Sequence, residues 1–356
     1  MLYRFFVLTL VFAGLVARPS YSQDLLTDDS IIFDAFDIYL DSLRTQAGIP
    51  GLSAVIVGQN DILWEKSYGQ QNRELAIPTQ IDTPYHIGGM TQIFTTTLIM
   101  RCVEDGKISL DDPISQDNTE TDIPDVTIGQ LMSHTVDGLE GLEFHFDNNR
   151  FDLLEPAIVD CTGYTPREGF TTIFDQLGMG DSVPGADILD ILVDEEDTLR
   201  AERYAAILAR LATPYASDLD QQPVLSEYPI TTLFPSKGLI SSARDLALFD
   251  IELRNGILIN QETLSQAWTP SIDKKGELIP YGYGWFVTHF GTTPIMWQFG
   301  IGENASSSII MTAPSHGLTL VLLANSDGLA KPFALETGDL LLSPFARVFL
   351  ELFLRS

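Results

Sequence analysis

Apolar residues at Phe33, Phe36, Ile38, Tyr39 and Leu43 predict a helix over 32–46. Two apolar runs, 52–57 and 62–68, flank Gly58-Gln59-Asn60-Asp61 and read as a hairpin. Phe94, Leu98 and Cys102 then recur every four residues, so a helix follows and ends near Gly106. From Asp112 to about Pro235 the pattern is helices and loops. Further helices are predicted over 242–255 and 261–268. Strand patterns then return at 284–290, 293–298, 306–311 and 318–324, with Ala313-Pro314-Ser315-His316-Gly317 as the last turn. A helical pattern over 333–354 closes the chain. Strands near both ends with helices between them give an α/β (α+β) fold, one sheet domain interrupted by a helical insertion.

The first 22 residues stand apart from this pattern. Arg4 supplies a positive start, 5–17 is an apolar run, and Ser20-Tyr21-Ser22 offers small residues for a peptidase. The stretch reads as a secretory signal peptide cut after Ser22, and it is too short to span a membrane. No Cys stands near the cut, which argues against a lipid anchor. Export, to a periplasm or to the medium, is the expectation, with no membrane attachment after cleavage.

Charge narrows the partners. The 356 residues hold 49 Asp+Glu against 20 Lys+Arg, a formal net charge of −29. That excess argues against nucleic acid and against anionic membranes as electrostatic partners. A solvated acidic surface accounts for it without a dedicated cationic partner. Hydrophobic residues make up 45%, so there is ample material for a core.

Cofactor chemistry finds no foothold in the sequence. Cys102 and Cys161 are the two cysteines, and their spacing leaves a disulfide and two buried thiols equally open. There is no C-x-x-C, no H-E-x-x-H and no Cys/His cluster, so no metal site is expected. The histidines, at 86, 134, 145, 289 and 316, are scattered. Gly178-Met179-Gly180 and Gly300-Ile301-Gly302 do not extend to a dinucleotide fingerprint.

A family likeness rests on several segments in order. Tyr85-His86-Ile87-Gly88-Gly89-Met90-Thr91-Gln92-Ile93-Phe94-Thr95 resembles the active-site segment of class C β-lactamases and penicillin-binding-protein-type serine hydrolases. The stretches 104–113, 127–135, Phe174-Asp175-Gln176-Leu177-Gly178-Met179, 237–246 and Tyr281-Gly282-Tyr283-Gly284-Trp285 fit the same family in the same order. The resemblance covers nearly the whole chain after the leader. It implies an antiparallel sheet flanked by helices, formed by 23–112 and 236–356, plus an all-helical domain over 113–235, with the site between them.

The motifs that carry the family's chemistry are altered. The family opens with S-x-x-K, where Ser attacks a carbonyl and Lys, one turn later, helps remove its proton. Here the matching positions are Gly89 and Gln92, which offer neither nucleophile nor base. The second motif, Y-x-N, becomes Phe146-Asp147-Asn148, which loses the phenol and keeps Asn148. The third, K-T-G or H-T-G, becomes Gln298-Phe299-Gly300, which keeps only the glycine. Ser271…Lys274 is the sole S-x-x-K in the sequence and falls in a polar loop; no G-x-S-x-G occurs. Ser306, Ser307 and Ser308 read as strand residues, and Ser133-His134-Thr135 matches a structural segment. Loss of the nucleophile alone costs about a millionfold in kcat, and the other members then add little because they act as a unit.

Three readings stay open. In the first, the chain is a binding or regulatory pseudoenzyme. The backbone N–H groups of Gly89 and Ile301, which the resemblance implies as oxyanion donors, outlast side-chain loss, and Asn148, Gly300 and Trp285 line the cleft. Its ligand, by analogy with the family, is peptide-like or a carboxylate. In the second, it is an active esterase, peptidase or β-lactamase with an unrecognised nucleophile. In the third, it is a structural or protein-interaction module whose cleft is filled by Phe146, Phe299 and Met90. Core packing is the competing role for Trp285 and Trp297. Gly89 is expected at a helix start, with Gln92, Asn148 and Gln298 converging on it. The oligomeric state is not legible.

Overall fold

The computed structural model describes residues 24–114, 126–136, 144–192, 198–217, 222–273 and 275–354. The expected leader, 1–22, lies outside the described residues. Helix α1 runs Asp24–Gln46, starting ahead of the apolar pattern that betrays it. Phe36 and Leu40 are buried, but Ile38 and Tyr39 lie on the outer face, so these two members of the predicted stripe do not face the core. Strands β1 (Gly51–Val57) and β2 (Ile62–Asn72) form the expected hairpin, closed by Gly58 N–H donating to Asp61 O. The short β3 (Ile77–Pro78) and β4 (Tyr85–His86) precede helix α2 (Thr91–Glu104).

Helices α3 (Ile128–Met132), α4 (Glu155–Thr162), α5 (Pro166–Leu177), α6 (Ile188–Ile191) and α7 (Thr198–Leu208) follow. Thr127 with Gln130 and Thr165 with Glu168 form capping boxes that satisfy the first N–H groups of α3 and α5. The pairs β5 (Tyr215–Ser217) with β6 (Pro223–Leu225), and β4 with β7 (Ile240–Ser241), make two small ribbons. Helices α8 (Ala243–Arg254) and α9 (Gln261–Ala267) start on the side-chain caps of Ser242 and Asn260.

Strands β8 (Phe286–Phe290), β9 (Thr293–Gly302), β10 (Ser306–Ala313) and β11 (Leu318–Ala324) complete an antiparallel sheet of order β3-β2-β1-β11-β10-β9-β8. The last strand pairs with the first, Leu52 opposite Ala324. The predicted helix 333–354 is cut short: 3-10 turns fill 331–342, and α10 spans Pro344–Phe353. Pro344 has no N–H to donate to the preceding turn, and Gly338 has a φ of 85°, so a continuous helix is barred.

Helices cover both faces of the sheet, which is why β1 is buried at every residue. Val55 and Val57 point toward α2 and α8, while Leu52, Ala54 and Ile56 point toward α1 and α10. Each such aliphatic side chain contributes about 1.5–3 kcal/mol when removed from water. Cys102 of α2 and Cys161 of α4 form a disulfide, with Cα atoms 6.0 Å apart. Among the described residues, no helix is long and apolar enough to cross a membrane.

Candidate functional site

A 3-10 turn, Gly88–Met90, feeds directly into α2. Its backbone presses on β9. A Cβ built on Gly300 would fall 1.8 Å from Ile87 O, and one on Gly88 would fall 2.7 Å from Ile301 N. Gly88 also has a φ of 55°, a conformation that suits glycine. Ser308 Oγ donates to Ile87 O at 2.7 Å and holds the same junction from β10. The backbone of Gly88–Gly89 therefore lies against that of Gly300–Ile301, the two segments expected to carry the oxyanion donors.

The side chains around this junction interlock. Gln92 Nε2 donates to Asn148 Oδ1 at 2.7 Å. Gln92 Oε1 accepts from the Tyr281 hydroxyl at 2.9 Å and lies 3.4 Å from His134 Nε2. Gln298 Nε2 donates to Tyr281 Oη at 2.8 Å and to Gly284 O at 3.0 Å, while Gln298 Oε1 accepts from Phe299 N–H at 2.9 Å. His134 Nδ1 accepts from Asp147 N–H at 3.3 Å, which leaves the ring proton on Nε2, facing Gln92. Gln92, His134, Tyr281 and Gln298 are fully buried. Burial, aided by Arg150 and His145, pushes the His134 pKa down to about 3, so the imidazole is neutral. Burial raises the Tyr281 phenol well above its ordinary value, so it too is neutral. The centre is thus an uncharged network that ties the side chains of Gln92, His134, Asn148, Tyr281 and Gln298 together.

Little room is left beside Gly89. A Cβ there would meet Asn148 Nδ2 at 2.8 Å, Asn148 Oδ1 at 2.9 Å and Phe299 O at 3.1 Å. Phe146 packs on His134, with ring centroids 4.7 Å apart, and on Phe299 at 5.4 Å. Met90 and Phe299 are buried. Gln92, Asn148 and Gln298 converge on the helix start as expected.

Trp285 does not line this centre. It is 2% exposed, meets Trp268 edge-on at 6.0 Å and belongs to the core under α2 and α8. Trp285 precedes β8, and its indole packs in that core while the next ring, Phe286, joins Tyr281 and Trp297. Trp297 is also core, stacked on Phe286 at 4.4 Å, with Nε1 donating to Thr288 Oγ1.

Among the described residues, no hydrogen bond joins a candidate serine to a base. Ser307 Oγ donates to Ser326 O, Ser133 Oγ lies 2.8 Å from Gly129 O, and Ser306 is fully buried. Thr91 Oγ1 turns back to Gly88 O. Lys274 lies outside the described residues. Among the described residues, no three His, Cys, Asp or Glu side chains cluster to hold a metal.

The family model described as Beta-lactamase matches residues 36–342. The chain belongs to the β-lactamase family. It is 24% identical to Penicillin-binding protein 4 of Amycolatopsis lactamdurans, over 86% of this chain and 89% of that one. It is 25% identical to Esterase EstB of Burkholderia gladioli, over 45% of this chain and 36% of the esterase. Among solved structures, the octameric penicillin-binding protein homologue from Pyrococcus abyssi superposes with a TM-score of 0.71 at 21% identity, over 86% and 76% of the two chains. A class C β-lactamase from Rhodobacter sphaeroides gives 0.66 at 18% identity, over 88% and 96%. The chain is therefore a relative of β-lactamase-type serine hydrolases, built on their fold.

Within this β-lactamase-family fold, the sequence reading missed Tyr281 and His134 as members of the centre. Tyr281 lies 189 positions from Gln92 in the chain and His134 lies 42. Both stood in segments that matched the family, which is the signal that placed them in the fold but not in the network.

Proposed function

We propose that this chain is an exported, non-catalytic member of the β-lactamase family, a pseudoenzyme that acts by binding or regulation. One observation carries the reading. The Asn148 amide stands 2.8 Å from where a Cβ at position 89 would lie, so a side chain there requires that amide to swing aside. Glycine there, glutamine at 92, phenylalanine at 146 and glutamine at 298 leave no group to attack a carbonyl or accept its proton. The related proteins carry enzyme names, so the family supplies the expectation of hydrolysis and these four residues supply the reason against it.

The filled centre also favours contacts made elsewhere on the molecule over a ligand held beside Gly89. That moves the weight from the first sequence reading toward the third, with Phe146, Phe299 and Met90 as the filling. Export is supported by the leader pattern of 1–22 and by the Cys102–Cys161 bond, which suits an oxidising compartment.

The test is direct. Purified protein is incubated with nitrocefin, p-nitrophenyl esters and penicillin, and intact mass is read. The expected outcome is no turnover above a matched blank and no adduct. A stoichiometric acyl adduct on any residue sinks the proposal.

A further inference from the structure

We propose a second, separate binding site in the helical part of the molecule, one that takes an uncharged, mostly apolar molecule with a hydrogen-bond acceptor such as an amide or ester carbonyl. A cleft of about 650 Å3 opens there between α5, α6 and α7, with Leu233 and Pro235 on its remaining side. Ile188, Leu192, Leu233 and Pro235 give it apolar patches, between the charged side chains of Glu155, Arg167, Glu168, Asp175 and Arg200.

The polar groups on these walls are almost all satisfied within the protein. Arg167 makes paired bonds to Asp187 at 3.0 and 3.1 Å. Arg200 bonds Asp175. Thr171 and Thr172 hydroxyls donate back to Arg167 O and Glu168 O, and Thr165 with Glu168 closes the capping box of α5.

Tyr204 is the exception. It lines the cleft, has 0% of its surface exposed, and its hydroxyl has no hydrogen-bond partner. Its ring packs with Val183, Ile188, Ile207 and Ile240, and the Arg203 guanidinium lies over its face, 5.0 Å from the centroid. A buried hydroxyl without a partner is unfavourable, and a ligand oxygen at that depth removes the penalty.

Charge selects the ligand's class. Glu155, Glu168 and Asp175 stand against Arg167 and Arg200 on the walls, and both guanidinium groups are already paired with carboxylates. The α5 N-terminus, which would otherwise attract an anion, is occupied by the Glu168 carboxylate. An anion therefore meets net negative charge, while an uncharged carbonyl compound meets a lining that is part apolar and part polar, with the Tyr204 hydroxyl as an unpaired donor.

The probe is N-benzylacetamide, titrated into the full protein by NMR and compared with 3-phenylpropionate and n-propylbenzene. The acetamide is expected to bind saturably and to shift signals from α5, α6 and α7. Tyr204→Phe is expected to stay folded, because its hydroxyl bonds nothing, and to weaken the acetamide roughly two- to tenfold, the range for one neutral hydrogen bond. The same variant leaves n-propylbenzene unchanged. Leu233→Trp, which fills the cleft, abolishes binding of both. Three results overturn the inference: tighter binding of 3-phenylpropionate than of the acetamide, equal affinity of wild type and Tyr204→Phe for the acetamide, or no saturable binding. None of them bears on whether position 89 can react.

Discussion

Gln92 and Asn148, 56 positions apart in the chain, are joined by a 2.7 Å hydrogen bond beside Gly89. The motif resemblance puts Gln92 where the family has its lysine and Asn148 at the last position of its Y-x-N. The two residues therefore lean on each other in a space that a nucleophile's side chain would share.

Replacing Gly89 by Ser alone is expected to yield no penicillin adduct. Its Cβ must push the Asn148 amide aside, and Phe299 O at 3.1 Å limits the alternative. The asparagine end is flexible, so the stability loss should be modest, about 1–3 kcal/mol. Intact-mass spectrometry and urea unfolding read both effects. An adduct with this single variant would show that a base is present after all.

Gln92→Leu keeps much of the volume and removes the hub. It leaves Asn148, the Tyr281 hydroxyl and His134 without a bond each. A loss of about 2–4 kcal/mol is expected from buried groups left unpaired. Unchanged stability in urea unfolding would mean that the network is dispensable.

Restoring all four positions, Gly89→Ser, Gln92→Lys, Phe146→Tyr and Gln298→His, is expected to give acylation with penicillin or an activated ester. Partial sets should lag far behind, since such groups act as a unit. Asn148 Oδ1, which now accepts from Gln92, offers an acceptor for the new lysine. Circular dichroism confirms folding. A folded quadruple variant that stays unreactive would mean the packing around Asn148 and Phe146 has closed the cleft for good.

Acid should weaken the fold in a window set by two buried histidines. Burial lowers His134 to about 3 and His86 to about 4, from an ordinary value near 6.5. Between these limits the unfolded chain binds protons that the folded chain refuses. Stability from these groups is therefore complete above about pH 6.5 and falls as pH drops toward 4 and then 3. Asp245 acts in the opposite sense: burial raises it to about 6, so its contribution is present at low pH and is lost as pH rises through 6. The stability difference between pH 7 and pH 5 should shrink in His134→Gln, measured by urea unfolding. An unchanged difference would place the proton sink elsewhere.

Reducing the Cys102–Cys161 bond, or replacing both residues by alanine, should cost about 4 kcal/mol on the chain-entropy account, since it closes a span of 59 positions. Thermal melts with and without reductant measure it. A shift of less than a degree would show that packing alone fixes α2 against α4.

The parts of the fold read from sequence were those with local signals. The apolar run before Gly58 and the one after it could only be a hairpin, and the four-residue spacing of Phe94, Leu98 and Cys102 was that of a helix. The convergence of Gln92, Asn148 and Gln298 followed from motif order. Other features had no local signal. Ile38 and Tyr39 looked like part of a buried stripe because hydrophobicity does not say which side a neighbour covers. The motif places Trp285 near the cleft, while the packing of distant segments sets its indole against Trp268. The bond from Tyr281 to Gln92 depends on how two distant segments pack, and no periodicity records it.

The contact between Gly300 and Ile87 bears on what a lone motif glycine can report. A glycine that survives in an otherwise erased motif invites the view that some chemistry survives with it. At 1.8 Å from a carbonyl oxygen, a side chain at position 300 is excluded by the joint between strand and turn, whether or not a reaction takes place there. Such a glycine reports that the joint is assembled. It is silent on reactivity, and a search that scores it as a remnant of catalysis will rank living and lapsed hydrolases alike.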